Sequence, residues 1–112
     1  MSISILCVAI LATSLPTSCM RTGDEWKAIM SRFVFAMGPD YSRSLRAKHM
    51  EGTGCFRMHM DEQGRVTSVI VLVSTGHREL DDRAVTAFRR WRAKPAHQPW
   101  EVDMSLSFVA DQ

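Results

Sequence analysis

From Trp100 to Phe108 apolar and polar residues alternate without a fault. Trp100, Val102, Met104, Leu106 and Phe108 fall on one side, and Glu101, Asp103, Ser105 and Ser107 on the other. A period of two predicts a strand with one dry face. Cys55 to Met60 shows the same alternation, with Phe56, Met58 and Met60 opposite Cys55, Arg57 and His59. Asp61-Glu62-Gln63-Gly64 has turn chemistry, and the Val- and Ile-rich run Arg65–Ser74 completes a hairpin. Val66 and Val69 are three apart, whereas Val69, Val71 and Val73 step by two. Placing Val66 on their face requires a bulge near Thr67-Ser68. Ile70 and Leu72 fill the other face, so this second strand is expected at the centre of the sheet, buried on both sides.

Three segments carry the helical period instead. Thr22 and Glu25 have capping-box spacing, and Trp26, Ile29, Met30, Phe33 and Met37 recur at steps of three and four. They predict a helix over 24–37, stopped by Gly38-Pro39. Tyr41 to His49 is a short basic helix, with Ser42 as its cap and Tyr41 and Leu45 facing inward. Leu80, Ala84, Ala87, Phe88 and Trp91 mark the third. Asp81 and Asp82 sit in its first turn and Arg89, Arg90 and Arg92 in its last, which suits the helix dipole, and Pro95 ends it. The element order predicts an α+β fold, a three-stranded antiparallel sheet with helices packed on one face. A sheet this small has exposed edges, and an exposed edge accepts another strand.

The chain has 112 residues, room for one domain. Its first 20 residues carry no charged side chain. Ile3–Leu11 is nearly all apolar, and Ala12-Thr13-Ser14 resembles a cleavage site. The run is short of the ~20 residues that span a bilayer, so residues 1–18 are expected to be a signal peptide and 22–112 the folded domain. Export places the protein in the periplasm or cell envelope. Leu15-Pro16-Thr17-Ser18-Cys19 also resembles a lipoprotein signal, which makes Cys19 a candidate for acylation; Pro16 departs from that pattern. A net charge of +2 is too small to argue for nucleic acid.

The remaining chemistry is sparse. Four histidines (His49, His59, His77, His97) and Cys55 raise the question of a metal. Cys55 and His59 share a strand face but stand ~13 Å apart, too far for one ion. Ser74, His77 and Asp81 lie close in sequence without a nucleophile elbow, and read as a turn and a helix start. Arg89-Arg90-Trp91-Arg92 is explained by a helix C-terminus. Cys19 and Cys55 are the thiols left after the leader, and a disulfide between them is an open alternative. No cofactor and no enzymatic activity are expected.

From Pro39 to Phe108 the chain resembles the TonB C-terminal domain family. The residues that carry the likeness are Pro39-Asp40-Tyr41, Glu51-Gly52-Thr53-Gly54, Asp61-Glu62-Gln63-Gly64-Arg65-Val66, Ser74-Thr75-Gly76-His77 with Leu80-Asp81 and Ala84, and Trp91-Arg92-Ala93-Lys94-Pro95. Ala93 stands where the family commonly has an aromatic. Family members transmit energy from inner-membrane motor proteins to outer-membrane receptors. The resemblance implies that a receptor segment adds as an extra strand to Trp100–Phe108. A membrane anchor and a long Pro-rich linker are not seen, so strand binding is the firmer expectation and force transmission the weaker. A lipid-anchored envelope protein or a homodimer joined at sheet edges is the alternative.

Overall fold

A computed structural model describes residues 15–110. Ala12-Thr13-Ser14 and most of the expected leader therefore lie outside the described residues, as do 111 and 112. A 3-10 turn at Thr17–Cys19 is followed by α1 (Gly23–Met30), β1 (Phe33–Phe35), α2 (Arg43–Ala47), β2 (Gly52–Met60), β3 (Val66–Val73), α3 (Arg78–Arg89), β4 (Arg92–Ala93) and β5 (Trp100–Phe108). No helix among the described residues is long and apolar enough to cross a membrane.

The main sheet is antiparallel with order β3-β2-β5. β2 is its centre. All nine of its residues pair with β5 in one unbroken register, from Gly52 opposite Phe108 to Met60 opposite Trp100. On the other side β3 joins β2 through the hairpin turn. The pairing slips where His59 faces Ser68 and Met60 faces Val66. Thr67 is thus the extra residue, as the odd step from Val66 to Val69 requires. The expectation that β3 is central is corrected. It is an edge strand, with Ile70 47% and Val71 40% exposed. Its double-sided apolar pattern is that of a central strand, but β5 returns from far along the chain to take the second side of β2.

The core lies between the helices and one face of this sheet. Phe56, Met58 and Met60 of β2 and Val102, Met104 and Phe108 of β5 meet Leu80, Ala84 and Phe88 of α3 and Leu45 of α2. Trp91 packs edge-on against Phe33 and Phe88, both at 5.0 Å between ring centroids. Its Nε1 donates to the Met37 carbonyl at 2.9 Å. Tyr41 is half-buried beside Phe108 and donates its hydroxyl to the Met50 carbonyl at 2.7 Å.

The first helix is shorter than the periodicity predicts. Thr22 and Glu25 form the capping box, with N–H to oxygen distances of 3.2 and 2.8 Å. The helix stops at Met30, however, and Phe33-Val34-Phe35 becomes β1. β1 pairs with β4, Phe33 opposite Ala93, and the Lys94 N–H reaches the Arg32 carbonyl at 2.7 Å. Aromatic and β-branched residues fit a strand as well as a helical stripe, and tertiary pairing decides. The result is a second sheet of two strands that closes over the hairpin turn. There the Ala93 N–H donates to the Gly64 carbonyl at 2.8 Å. Gly64 has φ +89°, and a Cβ on it would fall 1.9 Å from the Ala93 oxygen, so this corner admits only glycine.

Candidate functional site

The predicted site residues form one outer edge of the main sheet. Trp100–Phe108 is β5, and among the described residues its far side has no strand beside it. Main-chain groups alternate sides along an antiparallel strand. In β2 the odd residues face β3, a row that the Asp61 N–H continues by donating to the Arg65 carbonyl. Its even residues therefore bond to β5, and the even residues of β5 bond back. Glu101, Asp103, Ser105 and Ser107 consequently turn their N–H and C=O groups outward. Their side chains lie on the sheet face away from the core, and those of Val102, Met104 and Phe108 are buried beneath.

The polar face is more structured than its sequence suggests. Asp103, read from sequence as an exposed position, is 5% exposed. Arg57 opposite it on β2 donates to both carboxylate oxygens, Nε to Oδ1 at 2.8 Å and Nη2 to Oδ2 at 3.1 Å. Hydrogen bonding from Arg57, opposed by burial and helped by Ser18 and the charges of Arg57 and Arg21, holds Asp103 below the ordinary carboxylate range. Its partner is affected in turn, with Arg57 raised chiefly by the hydrogen bond to Asp103. Next along, His59 Nε2 lies 2.8 Å from Glu101 Oε1, and His59 Nδ1 lies 3.0 Å from the Ser68 hydroxyl. The Thr53 and Ser107 hydroxyls pair at 2.8 Å at the far end.

Cys19 and Cys55 are joined in a disulfide, with Cα atoms 6.2 Å apart. Cys55 lies on the polar face of β2 opposite Ser105, so the bond draws the N-terminal turn onto that face. It engages the sulfur that acylation of Cys19 would need, and the two fates exclude each other. Arg21 then extends its guanidinium to the main-chain carbonyl of Asp103. At the strand's start, the Arg32 guanidinium stacks on the Trp100 ring, 3.5 Å from its centroid.

Ser74 and Asp81 tie the turn that leads into α3. Asp81 Oδ2 accepts the Ser74 hydroxyl at 2.5 Å, and its Oδ1 accepts the Thr75 N–H at 2.8 Å and hydroxyl at 2.7 Å. Burial works against its ionisation, but these bonds and the nearby His77 leave it below its ordinary value. Among the described residues no group of three or more His, Cys, Asp or Glu is placed to hold a metal.

A family model for the C-terminal region of the Gram-negative bacterial TonB protein matches residues 37–109. The chain belongs to the TonB C-terminal domain family. Its TonB-like fold is seen again in the solution structure of the Pseudomonas aeruginosa TonB C-terminal domain. That structure superimposes with a TM-score of 0.55 at 22% identity, over 71% of this chain and 84% of that one. No curated protein sequence matches. The family match begins at Met37, so the 3-10 turn, α1 and β1 of this TonB-like chain lie ahead of it.

Two parts of the site escape sequence reading. The ion pair Arg57–Asp103 requires the β2–β5 register, which no local pattern reports. The approach of Arg21 to β5 requires knowing that Cys19 and Cys55 meet. The hint available was that Arg57 and Asp103 each occupy the polar side of an alternating strand.

Proposed function

We propose that this TonB-like domain works in the cell envelope by pairing an extended segment of a partner protein with the outer edge of β5, in support of energy-dependent transport across the outer membrane. The partner class is an outer-membrane receptor segment; an inner-membrane motor would supply the energy through another component or a further part of the protein. The observation that carries the reading is the position of β5, at the edge of a sheet whose strand order leaves it, among the described residues, unpaired on one side. Outward N–H and C=O groups at such an edge bind any extended chain by strand addition, and neighbouring side chains select among partners.

The test uses the isotopically labelled protein and synthetic peptides copied from the N-terminal segments of outer-membrane receptors of a Gram-negative host. Binding should shift the β5 amides. Ser107→Pro removes one outward N–H and spares the ladder to β2, since Ser107 faces away from it. The variant should keep its fold and lose binding. Retained binding with an intact fold, or shifts confined to β3, would overturn the proposal; the latter would favour the exposed Ile70–Val71 edge instead.

A further inference from the structure

The first part of the chain passes from one face of the main sheet to the other. Cys19 is bonded to Cys55 on the polar face. Ten residues on, Ile29 and Met30 pack against the apolar cluster on the opposite face. The route between them runs outside β5. Arg21 holds the main-chain carbonyl of Asp103, Ser18 lies near enough to the Asp103 carboxylate to favour its charge, and Arg32 covers Trp100. A cleft of about 420 Å³ remains where this segment bends around the strand, lined by Arg21, Ile29, Arg32, Trp100, Glu101 and Asp103 among others. These contacts fall on 100–103, and among the described residues none of the same kind falls on 106–108.

We propose that residues 19–21, fastened by the Cys19–Cys55 disulfide, form a strap over the first half of the β5 edge, so that among the described residues Met104–Phe108 is the part open to a partner strand. The proposal rests on the reading that β5 receives that strand, and it defines the partner further. The carbonyl of Asp103 is taken by Arg21 and Glu101 lines the cleft under the segment, so the outward main-chain groups clear of these contacts are those of Ser105 and Ser107. A partner must therefore be a short extended segment of about four to six residues, enough for one such half-strand. A longer one would have to displace Arg21. The strap lies ahead of the residues that the family model matches. In an oxidising envelope the disulfide holds it in place.

A soluble gadolinium chelate, which broadens amide signals open to solvent, tests this on the full oxidised chain without any partner. As chelate is added, Ser105 and Ser107 should lose their signals first while Glu101 and Asp103 persist. In Cys19→Ser/Cys55→Ser all four should be lost together. If that double variant does not fold, Arg21→Ala with the disulfide intact serves instead, with loss at Asp103 expected. Equal loss at all four amides in the oxidised wild-type chain overturns the strap, as does unchanged protection in a folded variant. A partner peptide whose footprint covers Trp100–Asp103 in the oxidised chain also overturns it, yet leaves the role of β5 standing. Binding that maps elsewhere refutes the role of β5 while the chelate result stands.

Discussion

Two tryptophans of this domain should respond unequally to the same substitution. Trp91 is 7% exposed, lies against Phe33 and Phe88, and gives its Nε1–H to the Met37 carbonyl. Trp100 also buries its Nε1, but that nitrogen has no hydrogen-bond partner among the described residues. Trp91→Phe removes a made hydrogen bond, about 1 kcal/mol net. Incomplete refilling of the space adds about 1 kcal/mol, by analogy with deletion of a methylene or two from a core. The expected loss is thus about 2 kcal/mol. Trp100→Phe gives up similar packing and part of the Arg32 stack, about 0.5–1 kcal/mol for an exposed cation–π contact. It also removes a buried donor whose unmet desolvation is worth about 1–3 kcal/mol. The net change should lie within about 1 kcal/mol of zero. Urea unfolding followed by far-ultraviolet circular dichroism, with the disulfide intact, measures both variants at constant slope. Equal losses from the two would refute the assignment of one indole as satisfied and the other as orphaned.

Two further outcomes follow from the corners and the polar face. Gly64→Ala should destabilise by about 2 kcal/mol or more, since the left-handed backbone alone costs about 1–3 kcal/mol and the Ala93 carbonyl must also move; thermal unfolding checks it, and a change under about 0.5 kcal/mol would sink the argument. Asp103, Asp81 and Asp61 are all held below their ordinary values, Asp61 chiefly by the Arg65 N–H. Unfolded, they take up protons near pH 3.9, so they stabilise the fold above that point and the benefit fades as pH falls through their lower folded values. Urea midpoints should drop between about pH 4 and pH 2, and Asp103→Asn should flatten that fall; a fall of wild-type slope in the variant would contradict the role given to the Arg57 pair.

What the sequence makes legible here is local. The alternation in β2 and β5, the bulge at Thr67, both capping residues and the core stripe of α3 are each visible within a few positions. The family motifs prove to be corners of the fold: Asp61 ties the hairpin turn, Asp81 ties Ser74 and Thr75, and Trp91 reaches Met37. The binding edge itself carries little signature, because main-chain groups look alike in every residue. Two expectations failed where distant partners decided. Phe33-Val34-Phe35 left its helical stripe because Ala93 offered a strand to pair with, and β3 lost the centre because β5 claimed the other side of β2. The disulfide and the Arg57–Asp103 pair likewise join residues whose meeting depends on the assembled sheet.

The unequal reach of the two β2 ladders has a kinetic consequence. β3 joins β2 across a tight turn, and α3 follows at once, so that half can assemble from near neighbours. β5 must return over forty residues or more to find the same strand, Met60 waiting for Trp100 and Gly52 for Phe108. Closing the longer loop costs more entropy before any contact is gained. Folding should therefore proceed through a hairpin and helix that are consolidated early, with β5 docking last, and mutations in β5 should accelerate unfolding more than they slow folding. Until β5 docks, the open side of β2 has the same appetite for an extended chain that the finished domain shows at its outer edge, and any strand that arrives first competes with the protein's own.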